Sequence, residues 1–382
     1  MKNCPISFDY QSSSPCEREV LDEMKPYWSE NWGNPSSKQN RVGIHASAAI
    51  NLAREKIATS LEVKPEHVIF TSGATESNNL AILGFARANQ RNSGRFGHLL
   101  TMSTEHHAVL EPMRELQKEG FKLTEIKPNS DGLISLNNLK NNIVQDTILA
   151  SFMMANNEIG VVHPIKEICD LCHENNIILH SDASQAIGLL PIKEIIKDID
   201  LISISSHKIY GPKGVGALII KNNIELLPIQ FGGGQENGLR PGTIPVPLIV
   251  GFAKAVEISV QQTPFYSEKI GILRDKLLEG LQKEIPKLLV NGSMENRLPN
   301  NLNVSFMGVN GNRLHREIRP FISCTSGSAC SNGEPSHVLL EIGRDFKEAE
   351  ASLRLSLGRS TTEEEVQKAV QIISGAIKKI TK

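Results

Sequence analysis

Residues 177–208, IILHSDASQAIGLLPIKEIIKDIDLISISSHK, contain two short apolar runs, IILHSD and DLISISS, with an amphipathic segment between them. Apolar runs of this length that alternate with helical patterns predict parallel strands joined by crossover helices. Asp182 ends the first run, and Lys208 follows the second, 26 residues later. The stretch therefore predicts neighbouring strands of an α/β sheet that bring a carboxylate and an amine to one edge.

The same alternation extends over residues 45–220. Four more strand-like runs occur there, HVIFTS, HLLTMS, ILASFM and VGALII, together with amphipathic segments such as NLAREKIATSLEV and EPMRELQKEG. The six runs predict a mainly parallel sheet wrapped by helices. We assign this large domain to residues 17–258.

The pattern changes in the last third of the chain. A long helix is expected to begin near Pro247, and a second helix over EKIGILRDKLLEGLQKEI. Two strand candidates, LNVSFM and LRLSL, and a terminal helix, EEEVQKAVQIISGAIKKI, follow. These elements predict a small α+β domain of residues 259–382, completed by residues 1–16.

Composition narrows the class of protein. The chain has 382 residues, of which 40% are hydrophobic and 22% charged, and its net charge is -1. These values are typical of a soluble globular protein, and they disfavour a dedicated nucleic-acid binder, which needs a basic excess. We expect no secretory signal, and the sequence has no apolar run of the ~18 residues that a membrane span requires. We expect a cytoplasmic protein that acts on a small molecule, without membrane or direct nucleic-acid partners.

The six cysteines are too few for a disulfide scaffold, so free thiols are expected. Cys169, Cys172 and His173 match the C-x-x-C-H pattern of covalent haem attachment. However, Ile165, Ile168 and the two cysteines follow the i, i+3, i+4, i+7 spacing of a buried helix face. We therefore interpret the two cysteines as core residues.

Lys208 and Asp182 together fit the chemistry of pyridoxal phosphate (PLP). This cofactor needs a lysine that binds its aldehyde as a Schiff base and a carboxylate that keeps its ring nitrogen protonated. Burial and the neighbouring His207 are expected to lower the pKa of the lysine. Taken alone, a lysine at a strand end is more often a solvated charge, and an aspartate there is more often a loop or cap residue.

The phosphate of such a cofactor would bind backbone N–H groups at a helix N-terminus, together with hydroxyl donors. Gly73, Ala74 and Thr75 stand between the strand HVIFTS and a predicted helix, and Ser205 and His207 precede the lysine. Taken alone, the first group is equally typical of a routine helix cap.

A flat heteroaromatic ring also needs a stacking partner and in-plane hydrogen bonds. His106 can stack, and Asn157 and Gln185 can donate to a ring hydroxyl, each from its own strand end. The glycine spacing of GPKGVG matches neither a Walker loop nor a dinucleotide fingerprint, so we interpret these glycines as turns. No motif of the chain indicates a metal site.

Eight motifs together resemble one enzyme family. In chain order they are TSGATESNN, EHHAV, NNEIG, SDASQA, SSHKIYGPKG, GGGQENGLRPGT, TSGSAC and LRLSLGR. The set is similar to cysteine desulfurases of the bacterial NifS/IscS group, within the class V aminotransferase-like PLP enzymes, over nearly the whole chain. The resemblance implies a PLP-dependent transferase fold of type I with a mainly parallel seven-stranded sheet, a homodimer, and removal of sulfur from L-cysteine to leave L-alanine.

The resemblance also implies roles for particular residues. In the cofactor site, these are the Schiff-base Lys208, the pyridinium partner Asp182, the stacking and acid–base His106, the ring-hydroxyl contacts Asn157 and Gln185, the phosphate contacts Ala74, Thr75, Ser205 and His207, and Thr243, which reaches the phosphate of the partner subunit. Arg354 resembles the clamp for the substrate carboxylate, a task that suits the guanidinium fork, and Asn34 and Asn157 are further substrate contacts.

Cys330 lies in a Ser/Gly-rich stretch, SCTSGSACSNGEPS, which predicts a mobile loop over about residues 323–336. The resemblance makes Cys330 the thiolate that takes sulfur from the substrate as a persulfide and passes it to an acceptor protein. Cys324 follows apolar residues and is expected to be structural. The interval before EPSHVL is about two residues shorter than is common in the family, so we expect loop reach and acceptor choice to differ.

Two alternatives remain at this stage. One is a PLP enzyme of the same fold that acts on another amino acid, by selenocysteine lysis or transamination; the SGSAC thiol argues against transamination. The other is a non-catalytic sulfur-relay protein. The sequence leaves the acceptor open among iron–sulfur cluster assembly, tRNA thiolation and DNA sulfur modification.

Overall fold

The computed structural model describes residues 5–221, 224–326 and 335–381. Their strands are β1 Ile6–Ser7, β2 Val68–Thr71, β3 His98–Met102, β4 Lys122–Ile126, β5 Thr147–Ser151, β6 Ile178–Asp182, β7 Leu201–Ser205, β8 Gly216–Ile220, β9 Leu288–Val290, β10 Asn301–Phe306, β11 Ile322–Ser323, β12 Thr325–Ser326 and β13 Ser352–Ser356. Their helices are α1 Arg18–Met24, α2 Pro26–Ser29, α3 Arg41–Leu61, α4 Ala74–Ser93, α5 His107–Glu119, α6 Leu136–Asn142, α7 Ile165–Glu174, α8 Ile192–Ile196, α9 Val246–Glu284, α10 Gly311–Ile318, α11 His337–Glu341, α12 Phe346–Glu350 and α13 Glu363–Thr381.

The large sheet has seven strands in the order β2-β8-β7-β6-β5-β3-β4. All six predicted runs are strands of this sheet, and β8 alone runs in the direction opposite to the other six strands. The fold class predicted from the sequence is confirmed. β4 was not predicted from the sequence, because this edge strand, KLTEI, mixes polar and apolar residues and is only partly buried.

The parallel arrangement places the carboxyl ends of β2, β3, β4, β5, β6 and β7 at one edge. Ligands of doubly wound sheets bind at this edge, where the chain leaves each strand for a loop. β8 enters the sheet from the same edge, because it runs in the opposite direction. Seven chain segments therefore meet there.

A second sheet lies in the C-terminal part, with four antiparallel strands in the order β12-β13-β10-β9. It packs with α9 and α13 around a separate buried cluster that includes Phe8, Leu302 and Ile373. The N-terminal segment joins this unit, since β1 pairs with β11 and Asp9 bridges to Ser356. The residues that follow Asp9 in the N-terminal segment continue to the carboxyl edge of the large sheet.

Helix α9 corrects one expectation. The sequence predicts two helices after residue 246, but the structure has a single 39-residue helix that passes through Pro264. The proline removes one backbone donor, and the Thr263 hydroxyl donates to the Ser259 carbonyl one turn earlier. The first half of α9 packs on the large core and the second half on the small core. The predicted boundary at residues 258 and 259 falls inside this helix and stays a prediction.

Helix α7 carries the two cysteines of the haem-like motif. Ile165, Ile168, Cys169 and Cys172 form its buried face, as predicted. Burial raises the pKa of both thiols to about 12, so neither is a thiolate at neutral pH.

Among the described residues, no helix has the length and apolar composition that crossing a membrane requires.

Candidate active site

A cavity of about 710 Å³ opens at the carboxyl edge of the large sheet. Its size is typical of a site that holds a small molecule. Ten residues predicted for the site line it, namely Ala74, Thr75, His106, Asn157, Asp182, Gln185, Ser205, His207, Lys208 and Arg354. The structure thus brings together side chains that are up to 280 residues apart in the chain.

Lys208 ends a single 3-10 turn, Ser206–Lys208, that follows β7. Its Nζ donates to the carbonyl oxygens of Gln11 and Ser12, at 2.6 and 2.8 Å. Two residues later Tyr210 takes a left-handed conformation with φ of 64°, which is uncommon for a residue with a side chain. Arg359 covers the Tyr210 ring at 4.3 Å and stabilises this turn.

Asp182 is the last residue of β6 and is 9% exposed. Its Oδ2 accepts from Asn78 Nδ2 at 2.8 Å, and its Oδ1 accepts from the Ser184 backbone at 2.9 Å. These two donors fix the orientation of the carboxylate at the cavity wall. An aspartate held in this way can keep a heterocyclic nitrogen protonated.

The N-terminus of α4 forms another part of the wall. Gly73 is its N-cap, with φ of 152° and no side-chain cap, so the first backbone donors of the helix have no capping side chain. The space beside the Gly73 Cα is open. Uncapped N–H groups at a helix of 20 residues suit a phosphate, because the helix dipole favours negative charge there.

The two predicted imidazoles differ in their hydrogen bonds. His106 caps α5 by accepting from the Ala108 backbone at Nδ1, over 3.0 Å, which leaves the proton of the neutral ring on Nε2. Its ring opens onto the cavity, yet the surrounding protein removes enough water to lower its pKa. His207 is hydrogen-bonded to Ser13, and burial, together with the charge of Lys208, lowers its pKa to about 4. Both rings are therefore neutral at neutral pH.

Arg354 reaches the cavity from β13 of the small sheet and is 6% exposed. Its Nη2 contacts Asp9 Oδ1 at 3.1 Å and also donates to Ser12 and Thr325, and its Nη1 donates to the Asn157 carbonyl at 2.9 Å. Its Nε has no hydrogen-bond partner among the described residues. A buried guanidinium with a remaining donor suits the binding of a carboxylate.

Two predicted residues of the described part of the chain, Thr243 and Asn34, do not line the cavity. Thr243 and Asn34 are exposed, and Asn34 Oδ1 accepts from the Ser36 backbone. Cys330 lies outside the described residues. Cys324, expected to be structural, lies next to the small core, and burial raises its pKa to about 12.

The N-terminal segment contributes to the cavity, which was not predicted from the sequence. Gln11, Ser12 and Ser13 line the cavity and contact Lys208, Arg354 and His207, although residues 1–16 were expected only within the small domain. The run QSSS directly after a short apolar segment was an available signal, because it follows the pattern of the other strand ends. Asn78, the partner of Asp182, was a second signal in the same motif as Thr75.

The residues present fit PLP. The uncapped α4 N-terminus suits a phosphate, Asp182 suits a ring nitrogen, and Lys208 is an amine in the same cavity. Within the part of the chain that the structure describes, buried polar atoms at this wall also lack partners, among them Ser184 Oγ and Asn78 Oδ1. A bound polar molecule would supply the partners that such atoms require.

Comparison with known proteins gives consistent matches. The aminotransferase class-V family matches residues 6–369. The chain is 43% identical to "Cysteine desulfurase IscS" of Clostridium botulinum, over 98% of this chain and 95% of the relative. Among solved structures, a "NIFS-like protein" has a TM-score of 0.92 and 35% identity over 98% of this chain and 100% of its own. The structure "SspA in complex with cysteine" has a TM-score of 0.80 and 39% identity over 94% and 100%.

Proposed function

The chain belongs to the aminotransferase class-V family, and on that premise we propose that it is a PLP-dependent cysteine desulfurase, which converts L-cysteine to L-alanine and transfers the sulfur. The observation that carries this proposal is the cavity in which Lys208, Asp182 and Arg354 meet. These three side chains supply an amine, a carboxylate partner for the ring nitrogen and a carboxylate clamp. Curated relatives named cysteine desulfurase support the same reaction.

When bound, PLP supplies an aldehyde that reacts with amines and a protonated ring that accepts negative charge from the substrate Cα. Asp182 would hold the proton on the ring nitrogen, and the α4 N-terminus with Ser205 and His207 would hold the phosphate. His106 would stack on the ring. Asn157 and Gln185 would hydrogen-bond the ring hydroxyl, although Gln185 Nε2 donates to the Gln11 carbonyl in this structure.

The protein residues then handle the substrate. Arg354 binds its carboxylate, assisted by Asn157, and Lys208 Nζ moves the proton at Cα. The thiolate of Cys330 attacks the substrate sulfur, so that an S–S bond forms while the Cβ–S bond breaks. The electron pair of the broken bond stays on Cβ and takes a proton, with His106 and Lys208 as the nearby groups that carry protons. The products are L-alanine and a persulfide on Cys330.

The persulfide would be passed to an acceptor protein in iron–sulfur cluster assembly or in a thiolation pathway. We also propose a cytoplasmic homodimer, in which Thr243 contacts the phosphate site of the partner subunit. The exposed position of Thr243 agrees with contact to another chain. The role of Asn34 as a substrate contact has the same status.

The proposal is tested with the purified protein reconstituted with PLP. It should absorb visible light, and borohydride reduction should place the cofactor on the Lys208 peptide. L-cysteine should give sulfide and L-alanine in equal amounts in the presence of a thiol reductant. A Cys330→Ala variant should keep the absorbance and lose turnover. Sulfide release from that variant at the wild-type rate would eliminate the persulfide route.

A further inference from the structure

Gln11 belongs to the cavity wall and is almost fully buried, with 1% of its surface exposed. Its backbone carbonyl accepts from Lys208 Nζ and Gln185 Nε2, at 2.6 and 3.1 Å. Its side-chain nitrogen has no hydrogen-bond partner within the described part of the chain. Because buried N–H groups in native proteins nearly always have a partner, this nitrogen indicates the position of a ligand acceptor.

Two neighbouring side chains determine which atom of the Gln11 amide is the donor. Arg297 Nη1 donates to Asn301 Oδ1 over 2.8 Å, and a guanidinium has no acceptor. The nitrogen of Asn301 must therefore occupy the other side of that amide, where it donates to Gln11 Oε1 over 2.6 Å. With its oxygen accepting from Asn301, Gln11 has only its NH₂ group left to offer a ligand. The usual ambiguity between amide oxygen and nitrogen is thus resolved by the hydrogen-bond chain.

Arg297, the first residue of this series of hydrogen bonds, is firmly held. Arg297 is 8% exposed and also donates to the carbonyls of Ser293, Asn291 and Gly292. Burial lowers its pKa to about 9, which still leaves it charged at neutral pH. A cation at one end polarises the successive hydrogen bonds and makes the terminal N–H a stronger donor.

Gln11 and Arg354 are held by adjacent peptide groups. The Asn301 amide that fixes Gln11 also donates to the Glu158 carbonyl at 3.0 Å. Arg354 Nη1 donates to the preceding carbonyl, that of Asn157, at 2.9 Å. Among the described residues, neither Gln11 Nε2 nor Arg354 Nε has a hydrogen-bond partner, so each of the two cavity residues keeps one buried donor. A carboxylate has two oxygens and can accept from both donors.

We propose that Gln11 Nε2 binds the α-carboxylate of the amino-acid substrate together with Arg354. Arg297 and Asn301 act as positioning residues, because they hold the Gln11 amide in its donating orientation. The inference rests on the proposed function and adds a substrate contact to it. An amine that lacks a carboxylate gains nothing from Gln11 and is bound equally well without it.

The direct test is a Gln11→Met variant of the PLP-loaded enzyme, compared with Thr104→Val. Thr104 also carries a buried hydroxyl that has no partner among the residues described, but it does not line the cavity, so it controls for the loss of a buried polar group. We expect Gln11→Met to raise KM for L-cysteine about tenfold, the effect of one hydrogen bond to a charged group, with kcat within about twofold. Spectral titration with cysteamine, which is cysteine without its carboxylate, should give an unchanged Kd. Thr104→Val should change neither.

The positioning role has its own test. In Asn301→Asp, the new carboxylate can only accept, so the Gln11 amide turns over and presents its oxygen to the substrate carboxylate. The negative charge faces Arg297, which stabilises the variant. KM for L-cysteine should rise at least as much as in Gln11→Met, and the double variant should show no additional increase. Equal, additive effects of the two substitutions would show that Asn301 does not act through Gln11.

Gln11→Glu is a second variant of nearly unchanged shape, and it should raise KM for L-cysteine more than Gln11→Met does. The inference is overturned if KM for L-cysteine stays within about twofold of wild type in both variants, or if cysteamine binding weakens in parallel. These results differ from a failure of the proposed function, in which the wild-type protein itself would lack visible absorbance or sulfide release.

Discussion

A buried imidazole behind the cavity wall makes the stability of the protein pH-dependent. His163 follows the Ala155–Val162 bridge, is 4% exposed, and has no hydrogen-bond partner at either ring nitrogen among the described residues. Burial lowers its pKa from 6.5 to about 4. Between these values the unfolded chain binds a proton that the folded chain does not bind, so stability falls as the pH falls. At pH 5 the two pKa values correspond to a loss of about 2 kcal/mol relative to pH 7.

The perturbation is His163→Leu, which removes the titrating ring and its two unpartnered nitrogens. The free energy of unfolding is measured with urea at pH 7 and pH 5 in constant excess PLP. Its decrease from pH 7 to pH 5 should be about 2 kcal/mol smaller in the variant than in the wild type. At pH 7 the variant should be about as stable as the wild type, because no hydrogen bond is lost. The exposed His45→Gln is the control and should keep the wild-type difference. An unchanged pH difference in His163→Leu would refute the reasoning.

Three further predictions follow from buried contacts. Arg359→Lys should reduce the unfolding free energy by about 2 kcal/mol and lower kcat, because the guanidinium that covers Tyr210 is lost. Urea unfolding measures the first effect and sulfide release the second. An unchanged kcat would show that this contact does not support the turn that carries Lys208. Glu236→Gln should lower the free energy of unfolding, measured with urea, by about 3 kcal/mol, because it leaves the charge of Arg54 without its buried partner. A decrease of less than about 1 kcal/mol would contradict this expectation. The two thiols of α7 should resist iodoacetamide at pH 8 in the native protein, and rapid labelling detected by peptide mass spectrometry would exclude their pKa of about 12.

Much of the site at the carboxyl edge of the large sheet could be predicted from the sequence. Asp182, Lys208 and Thr75 follow buried strands, and parallel strands bring their carboxyl ends together wherever the chain folds in this way. Local patterns therefore predicted both the sheet and its polar edge. The strand β4 was not predicted, because a strand at the edge of a sheet needs no apolar run.

The N-terminal contribution was not predictable from local patterns. Gln11 meets Asn301 across 290 residues, and nothing in the spacing of either residue indicates that contact. Helix α9 shows the same limit in another form: the sequence predicts two helices, whereas packing on two cores keeps one helix continuous through Pro264. Long-range packing decides both cases, and a single sequence records it only indirectly.

In the proposed reaction, sulfur leaves L-cysteine as a persulfide on Cys330. This transfer is measured in one turnover of the PLP-loaded enzyme with limiting L-cysteine, without reductant, followed by peptide mass spectrometry and alanine quantification. We expect one L-alanine for each sulfur atom gained by the peptide that contains Cys330, and no such gain in Lys208→Ala. Alanine and free sulfide in equal amounts, with no sulfur gained by that peptide, would rule out the Cys330 persulfide.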